Sequence, residues 1–197
     1  KKKKKKKKKK LFSLFKIKKS FLKKKKLEKK ININLSNNQK FIEYSPLTYK
    51  YLKIISEKIN YFGGGLLIID YGYLEKKMKN TLQAINNHNF SQILENFSKS
   101  DITYNINFYF LKKIITKLGL QVAGITTQKK FLTKLGILKR AEILTKNLKF
   151  TKKADIYYRI NRLIDNKYMG DLFKVMFITK KDNKFKIGFK NWLFQKS

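Results

Sequence analysis

The stretch that most constrains the fold runs from Gly63 to Tyr73 and reads GGGLLIIDYGY. Leu66 to Ile69 is apolar without alternation, a pattern typical of a strand buried on both faces of a parallel sheet. The strand is expected to stop at Asp70, and Gly72 to let the backbone turn. Because ligands gather beyond the carboxyl ends of such strands, Asp70 is placed to face a substrate. From this stretch alone, the favoured interpretation is that Asp70 only caps the next segment.

The segment before this strand predicts a helix. Ser45 and Pro46 begin it well, since the hydroxyl caps free N–H groups and proline fits the first turn. Apolar residues then recur at helical spacing to about Asn60. The glycines at 63–65 follow a helix and precede a strand, the reverse of a phosphate loop, so they are interpreted as a connector. A helix followed by a buried strand is half of a βαβ unit and favours an α/β fold.

The formal charge of +37 suggests a nucleic-acid partner, but its distribution weakens that interpretation. Residues 1–30 contain 19 lysines and one glutamate and account for +18, and the rest is spread along the chain. Lys, Asn, Ile, Phe and Tyr, which have A/T-rich codons, are all heavily used. Nucleotide bias in the genome therefore explains the charge, and nucleic-acid binding is expected to be only non-specific.

Composition excludes several kinds of site. The chain has no cysteine, which excludes disulfides, thiolate metal sites and a cysteine nucleophile. His88 is the single histidine, so a histidine-rich metal site is excluded as well, and no metal is predicted. No apolar run is long enough for a membrane span, and lysines interrupt the short apolar segment near the start that would be needed for export.

Two parts are predicted along the chain. Residues 1–30 form a lysine-rich segment that repels itself and is expected to be disordered, and residues 31–197 form the folded part. Ile31 to Leu35 alternates like a half-exposed strand, and Leu74 to Ser100 is interpreted as a long loop. Further expected elements are a helix from Asn107 to Leu118, a strand over Leu120–Thr127, helices over Phe131–Leu148 (broken near Gly136) and Ala154–Ile164, and a hairpin of Leu172–Ile178 with Lys184–Phe189.

An ordered series of short segments resembles one family over roughly residues 40–180. The segments are Ile42-Glu43-Tyr44-Ser45-Pro46, Leu67-Ile68-Ile69-Asp70-Tyr71-Gly72-Tyr73, Thr81-Leu82-Gln83-Ala84 followed by His88, Asp101-Ile102-Thr103, Asn107-Phe108, Thr126-Thr127-Gln128, Leu135-Gly136-Ile137 with Arg140-Ala141, and Met169-Gly170-Asp171-Leu172-Phe173-Lys174-Val175. In sequence and spacing these are similar to the MidA-type S-adenosylmethionine-dependent methyltransferases, which include the mitochondrial arginine methyltransferase that assists assembly of respiratory complex I.

The resemblance implies a class I methyltransferase fold: a mostly parallel seven-stranded sheet with helices on both faces. Leu66–Asp70 would be a later parallel strand, and the terminal hairpin would supply the antiparallel edge. Methyl transfer to an arginine nitrogen needs a carboxylate that orients the guanidinium group in bidentate fashion. Asp70, Glu43 and Asp101 stand at matching positions, and Asp70 is the preferred catalytic carboxylate, with Glu43 and Asp101 in substrate binding.

Other candidate residues keep two interpretations each. His88 is a general base or substrate contact, or a loop histidine satisfied by neighbouring backbone. Gln83 and Gln128 either bind substrate or make structural hydrogen bonds, with the structural role favoured. Tyr71 would form an aromatic wall for a guanidinium group or the cofactor base, or would simply pack. Packing is the preferred interpretation for Tyr73.

The departure from the family concerns the cofactor. Its members carry a glycine-rich turn and an acidic ribose-binding residue in an amino-terminal half, and nothing in residues 1–40 reproduces them. The chain is therefore expected to be the carboxyl-terminal half of such an enzyme, without its S-adenosylmethionine motif and inactive alone, with poor solubility. Its implied partner is a protein with a target arginine, such as a complex I subunit, in bacterial cytoplasm or the mitochondrial matrix. The alternatives are a non-catalytic assembly module and a basic nucleic-acid-binding protein.

Overall fold

The computed structural model describes residues 24–35, 39–87, 89–91, 100–185 and 187–189, which fall into two compact units, Lys1–Lys40 and Phe41–Ser197. In the first unit, residues 24–31 form a helix, α1. Glu28 stabilises its end, because the carboxylate lies 3.9 Å from the Lys24 ammonium group and accepts a 2.7 Å hydrogen bond from the Leu35 amide. The disorder expected over residues 1–30 therefore does not extend to residues 24–30. Residues 1–23 lie outside the described part.

The alternation over residues 31–35 is real, but it does not mark a strand. Ile31, Ile33 and Leu35 are buried, and the asparagines between them are exposed. Asn32 has φ +53° directly after the helix, so the backbone leaves α1 through a left-handed residue and continues as an irregular segment. Period-two burial without a pairing strand explains why the pattern predicted a strand.

The second unit contains six helices and seven strands among the described residues. In chain order they are α2 (Pro46–Phe62), β1 (Gly65–Tyr73), β2 (Gln83–Asn86), β3 (Asn89–Ser91), β4 (Asp101–Thr103), β5 (Ile106–Asn107), α3 (Phe108–Lys117), β6 (Gln121–Thr127), α4 (Gln128–Lys134), α5 (Ile137–Thr145), α6 (Phe150–Ile164), α7 (Met169–Leu172) and β7 (Phe173–Thr179). None of the described helices combines the length and apolar character that a membrane crossing requires.

The local signals at α2 are confirmed. The Ser45 hydroxyl accepts a 3.2 Å hydrogen bond from the Thr48 amide, and Pro46 is the first helical residue. At the other end the Gly63 amide donates to the Ile59 carbonyl, and Gly63 and Gly64 have φ +81° and +86°. Glycine adopts this left-handed conformation without steric cost. The glycines are therefore a connector between helix and strand, as the sequence predicts.

A four-stranded mixed sheet in the order β5-β1-β7-β6 forms the centre of the unit. β7 runs antiparallel to both β1 and β6, and β5 runs parallel to the end of β1. The helix α3 lies against β1, β6 and β7, and Phe108, Met176 and Ile178 are completely buried. This confirms an α/β fold with a strand at Leu66–Asp70 and one antiparallel strand. The described part of this sheet has four strands instead of the seven expected, and along Leu66–Asp70 the neighbouring strand is the antiparallel β7 instead of a parallel one.

The prediction of a terminal hairpin is wrong for its second strand, which was expected over Lys184–Phe189. Residues 184–185 and 187–189 do not form a strand, and β7 lies between β1 and β6 instead of at the sheet edge. Both edges of β7 are already paired, so no edge is left for a hairpin partner. The chain beyond the turn instead packs aromatic rings, with Phe185 5.5 Å from Phe177 and Phe189 5.2 Å from Phe131 between ring centroids.

Burial of β1 on both faces is also wrong. Leu67, Ile69 and Tyr71 are 45%, 43% and 43% exposed, whereas the alternate residues are half-buried on the face that α2 and α3 cover. Among the described strands, only β5 pairs with the edge of β1 opposite β7, and it does so only at Gly72 and Tyr73. The strand is thus mainly antiparallel-paired, with one apolar face and most of one edge open, a combination that promotes aggregation.

Replacing Leu67 and Ile69 together by threonine is expected to raise the solubility limit of the chain. Threonine retains β propensity, and because both side chains are exposed, the free energy of unfolding should change by only about 0.5 kcal/mol. The control is Val175→Thr, which places a hydroxyl on the same face at a fully buried position and should cost about 1–3 kcal/mol. Light scattering and urea denaturation measure the two effects. Equal destabilisation by both variants would show that the β1 face is covered.

The long loop predicted over residues 74–100 contains strands. β2 pairs with β3 and with β4 in a second, antiparallel sheet, with Asn86 opposite Asn89. Asn87 has φ +48°, which a tight hairpin turn requires and asparagine tolerates. The residues of β2 and β3 are too polar to show the alternating apolar pattern of a strand. The asparagine at the turn, Asn87, is the only local sequence feature that indicates a hairpin here. His88 and residues 92–99 lie outside the described part.

The remaining helices and strand largely match their predictions. Asn107 caps α3 by accepting a 2.9 Å hydrogen bond from the Phe110 amide, β6 falls within Leu120–Thr127, and Gly136 separates α4 from α5. The helix α6 begins four residues earlier than predicted. None of its residues is buried, and Tyr158 is 62% exposed. The apolar spacing of Tyr158, Ile160 and Leu163 predicts core contacts for all three, but Tyr158 is exposed and the other two are only half-buried.

Candidate functional site

A pocket of about 280 Å³ lies where β1 meets the start of α2 and the side of α3. Three parts of the chain wall it: residues 43–49, the β1 residues Ile68 and Asp70, and residues 104–114 from the loop before α3 and from α3 itself. The lining residues are Glu43, Tyr44, Ser45, Thr48, Tyr49, Ile68, Asp70, Tyr104, Ile106, Asn107, Phe110, Leu111 and Ile114.

The charge of the pocket is opposite to that of the chain. The sequence has 49 lysines and arginines against 12 acidic residues, yet the lining contains two carboxylates, Glu43 and Asp70, and no basic residue. Three tyrosines and several aliphatic side chains make up most of the remaining wall. Carboxylates set among aromatic faces attract organic cations, both by charge and by the negative faces of the rings.

Asp70 lies inside β1, because the strand continues to Tyr73. Its Oδ1 atom accepts a 2.7 Å hydrogen bond from the Tyr71 amide. This leaves acceptor positions on the carboxylate, which has about four lone-pair sites. The residue opposite Asp70 in the register is Lys174 of β7, whose Nζ donates to the Asp171 carbonyl. Burial lowers the pKa of Lys174, and the nearby Asp171 and Glu75 oppose that shift.

Glu43 anchors the wall of the pocket. Its Oε1 accepts hydrogen bonds from the Thr81 amide at 2.7 Å and the Thr81 hydroxyl at 2.9 Å, and Oε2 lies 2.8 Å from the same hydroxyl. The Thr81 hydroxyl in turn accepts from the Asn105 amide at 3.0 Å. Through Thr81, Glu43 therefore connects the segment before α2 to the loop before α3 and helps to hold both segments in position.

Gly72 has a different role from the turn predicted for it. It lies within β1, and a Cβ atom there would be 2.4 Å from the Ile106 carbonyl oxygen and 2.5 Å from the Phe108 ring. Only glycine permits this approach of β5 and α3 to the strand. Asn107 fixes the same corner, because its Nδ2 donates to the Glu75 carbonyl at 3.1 Å while its Oδ1 caps α3.

The tyrosines that follow Asp70 lie outside the pocket lining. Tyr71 is on the opposite face of β1, with its ring centroid 4.1 Å from that of Phe173. Tyr73 is buried, and its hydroxyl accepts a 2.9 Å hydrogen bond from the Lys79 amide. Packing thus accounts for the Tyr73 ring, as preferred, whereas the Tyr71 ring contacts Phe173 but is 43% exposed.

The other predicted substrate residues do not line the pocket either. The side-chain Nε2 of Gln83 donates a 3.2 Å hydrogen bond to the Thr103 hydroxyl across the paired strands β2 and β4. Gln128 is buried, and its side-chain Nε2 donates a 2.9 Å hydrogen bond to the Leu163 carbonyl. Asp101 is exposed on β4, and His88 lies outside the described residues. Of the candidates that the structure describes, only Asp70 and Glu43 come together.

The pocket also contains residues that sequence reasoning missed. Tyr44 is the clearest, because its hydroxyl is buried and has no hydrogen-bond partner within the described residues. Burial raises the pKa of Tyr44, and the neighbouring Tyr49 adds to the shift. No local pattern marks such a residue. The described residues also contain no group of three or more His, Cys, Asp or Glu side chains that could hold a metal ion.

Comparison with known proteins identifies the family. The sequence profile described as "Putative S-adenosyl-L-methionine-dependent methyltransferase" matches residues 2–126, so the match begins before the resemblance seen from about residue 40. The mitochondrial protein arginine methyltransferase NDUFAF7 of Xenopus tropicalis is 27% identical over 134 residues, which are 68% of this chain and 31% of that protein. The Caenorhabditis elegans homolog is 30% identical over 132 residues, which are 66% of this chain and 29% of that protein.

Solved structures agree on the fold. The crystal structure of an uncharacterized protein from Burkholderia thailandensis superposes on this chain with a TM-score of 0.62 at 20% identity, covering 74% of this chain and 40% of that one. A second solved structure from the same organism, of a likely methyl transferase bound to S-adenosyl-homocysteine, gives a TM-score of 0.53 at 21% identity, covering 67% of this chain and 35% of that one. The chain spans about 30% of the length of the curated relatives that it matches. With the profile match over most of its length, the chain belongs to this family of S-adenosylmethionine-dependent methyltransferases.

Proposed function

We propose that this chain supplies the arginine-binding side of a protein arginine methyltransferase of the MidA type. The observation that carries the proposal is the acidic pocket in a strongly basic chain, with Asp70 and Glu43 in its wall and no basic lining residue. The names of the relatives, which are protein arginine methyltransferases, support the choice of arginine as the cation.

The pocket fits the substrate better than the cofactor. S-adenosylmethionine supplies an electrophilic methyl group on a sulfonium sulfur when bound. A nucleoside site of the Rossmann type needs glycines that let the backbone come close, and no glycine lines this pocket. We therefore assign the cofactor to residues outside the pocket and the guanidinium group to the residues within it.

Asp70 is the residue that orients the substrate. Its carboxylate accepts two parallel N–H bonds from a guanidinium group, a geometry that fixes the plane of the group as well as its position. Holding the target nitrogen in place supplies much of the rate acceleration in such a transfer. When that nitrogen gains a methyl group it loses a proton, for which a carboxylate is an acceptor. Glu43, engaged by Thr81, keeps the wall in position. His88 remains a candidate base.

The partner and location follow from the same resemblance. The substrate is a protein carrying a target arginine, such as a subunit of respiratory complex I, in bacterial cytoplasm or, in a eukaryote, the mitochondrial matrix. The relatives named above are mitochondrial proteins. The non-catalytic assembly module stays the second candidate, since the chain matches only part of its relatives. The third hypothesis, a specific nucleic-acid-binding protein, predicts that the chain binds RNA or DNA tightly and in a salt-dependent way, and that this binding survives deletion of residues 1–30.

Calorimetry with three small molecules tests the proposal. The full chain is titrated with N-acetyl-arginine amide, with its neutral isostere N-acetyl-citrulline amide, and with S-adenosylmethionine. Near 0.15 M salt, the overall positive charge is screened beyond about 8 Å, so the pocket carboxylates dominate. Saturable binding of the arginine compound alone is the expected result. Equal binding of citrulline would remove the ionic basis of the pocket, and binding of S-adenosylmethionine without arginine would make it a cofactor site.

A further inference from the structure

We infer that the turn between α5 and α6 is a docking surface for a lipid bilayer with anionic headgroups. Residues 143–153 form this surface, which we call the turn patch. Its apolar members are Ile143, Leu144, Leu148 and Phe150, and its basic members are Lys146, Lys149, Lys152 and Lys153. None of these residues lines the acidic pocket, so the inference is independent of the function proposed above.

The apolar side chains of the turn patch are open to water. Phe150 is 84% exposed, Ile143 65% and Leu144 57%. Successive residues of an α-helix lie about 100° apart, and Ala141 and Thr145, which stand two positions to either side of Ile143, are the buried residues of α5. Ile143 therefore points away from the face on which α5 packs. Single exposed apolar residues are ordinary, but a group of them on one turn marks an interaction site.

The charge around these side chains has a single sign. Residues 143–153 contain four lysines, all exposed, and no acidic residue. The carboxylates on either side are already paired, since Glu142 lies 2.9 Å from the Lys139 ammonium group and Asp155 lies 2.9 Å from the Arg159 guanidinium group. None of the four lysines forms an ion pair with a described residue. The turn patch thus presents positive charge that an anionic surface complements.

The backbone of the turn is held in shape by hydrogen bonds. The Lys146 amide donates to the Ile143 carbonyl at 3.4 Å, and the Leu148 amide donates to the Thr145 carbonyl at 3.1 Å. The Thr145 side chain is buried, and its hydroxyl donates a 2.8 Å hydrogen bond to the Ala141 carbonyl. Apolar and basic side chains are therefore presented together from an ordered turn, and docking needs little further ordering of the backbone.

A bilayer fits this combination of side chains better than a nucleic acid does. At a membrane surface, lysines bind lipid phosphates while the aliphatic and aromatic side chains beside them enter the boundary between headgroups and acyl chains. A nucleic acid would satisfy the lysines, and the Phe150 ring could stack on a base. It would leave Ile143 and Leu144 in water, whereas a bilayer removes them from it.

Flotation of the full chain with lipid vesicles tests the inference. Vesicles of phosphatidylcholine mixed with phosphatidylglycerol are expected to bind the chain, and vesicles of phosphatidylcholine alone to bind it only weakly. Because the lysines of residues 1–30 add adhesion by charge alone, the decisive variant keeps every charge. Ile143→Ser combined with Phe150→Ser should weaken partitioning onto the mixed vesicles about tenfold, since the buried apolar area determines the strength of insertion.

Tyr61→Ser combined with Phe62→Ser is the matched control. These rings are 82% and 73% exposed at the end of α2, outside the turn patch, and their replacement should leave partitioning within about twofold. Insertion is measured separately through Phe150→Trp. Brominated lipid in the mixed vesicles should quench its fluorescence beyond the quenching of the unchanged chain, which contains one tryptophan. Phe62→Trp should show no such excess.

Four outcomes would overturn the inference. Equal vesicle binding with and without the two apolar side chains of the turn patch would reduce the attraction to charge alone. Equal binding to phosphatidylcholine alone would remove the role of the lysines. An equal loss of binding to poly(U) RNA in the doubly substituted chain would assign the turn patch to nucleic acid. Absence of vesicle binding by the unchanged chain, with a dimer that the double substitution converts to monomer, would assign it to a second copy.

Discussion

Replacement of Asp70 by asparagine is expected to lower the affinity for N-acetyl-arginine amide about 10- to 100-fold, since hydrogen bonds to charged groups contribute about 1.5–3 kcal/mol. Asparagine keeps the size of the side chain and can still accept from the Tyr71 amide, so the fold should be preserved. It loses the negative charge and one of the two acceptor oxygens that a bidentate guanidinium contact requires. Calorimetry measures the affinity, and urea denaturation measures the stability.

Asp101→Asn is the matched control for this prediction. Asp101 undergoes the same chemical change, stands at a matching position in the family resemblance, and lies exposed on β4 outside the pocket lining. Its replacement should leave arginine affinity within twofold or so, as for exposed sites away from the ligand. A loss of affinity at Asp101 equal to that at Asp70 would move the binding site to the small sheet and contradict the assignment of the pocket.

Gly72→Ala is expected to have the largest effect on stability, about 3 kcal/mol, the upper part of the usual range for overpacking. The added methyl group would lie 2.4 Å from the Ile106 carbonyl oxygen and 2.5 Å from the Phe108 ring. Phe108 is completely buried, so its ring has no free space into which to move. Displacement of this corner would also shift residues 104–107, which line the pocket, and arginine affinity should fall as well.

Gly64→Ala separates this steric effect from the general cost of replacing glycine. A Cβ atom at Gly64 would meet nothing within 4 Å, but its φ of +86° is left-handed, so alanine should cost only about 1–2 kcal/mol. Urea denaturation of both variants gives the comparison. If Gly72→Ala costs no more than Gly64→Ala, then β5 and α3 do not approach β1 as closely as described.

Elements with strong local chemistry could be predicted from the sequence. Ser45 and Pro46 marked the start of α2, Asn107 marked the start of α3, and Gly136 marked the break between α4 and α5, because capping and glycine conformation act within a few residues. The antiparallel strand β7 was predicted, but its place between β1 and β6 was not. Strand order depends on pairing between distant segments, which leaves no local pattern.

The candidate site was only partly predictable for the same reason. Asp70 stood out because it follows an apolar run, whereas Gln128 and Tyr71 matched the family equally well and prove to be engaged by Leu163 and Phe173. Whether a polar side chain is free for a ligand depends on its neighbours in space. Tyr44 shows the converse case, since its unpaired hydroxyl is visible only once the surrounding residues are in place.

A crystal structure of the full chain soaked with methylguanidinium tests the central claim most directly. The pocket between β1, the start of α2 and α3 is expected to contain planar density with its nitrogens about 2.7–2.9 Å from the Asp70 carboxylate, the usual length for such a charged pair. The compound should be absent from the same pocket in Asp70→Asn crystals soaked in the same way. Density for methylguanidinium only elsewhere, or none in the pocket at a concentration that saturates binding in solution, would contradict the account.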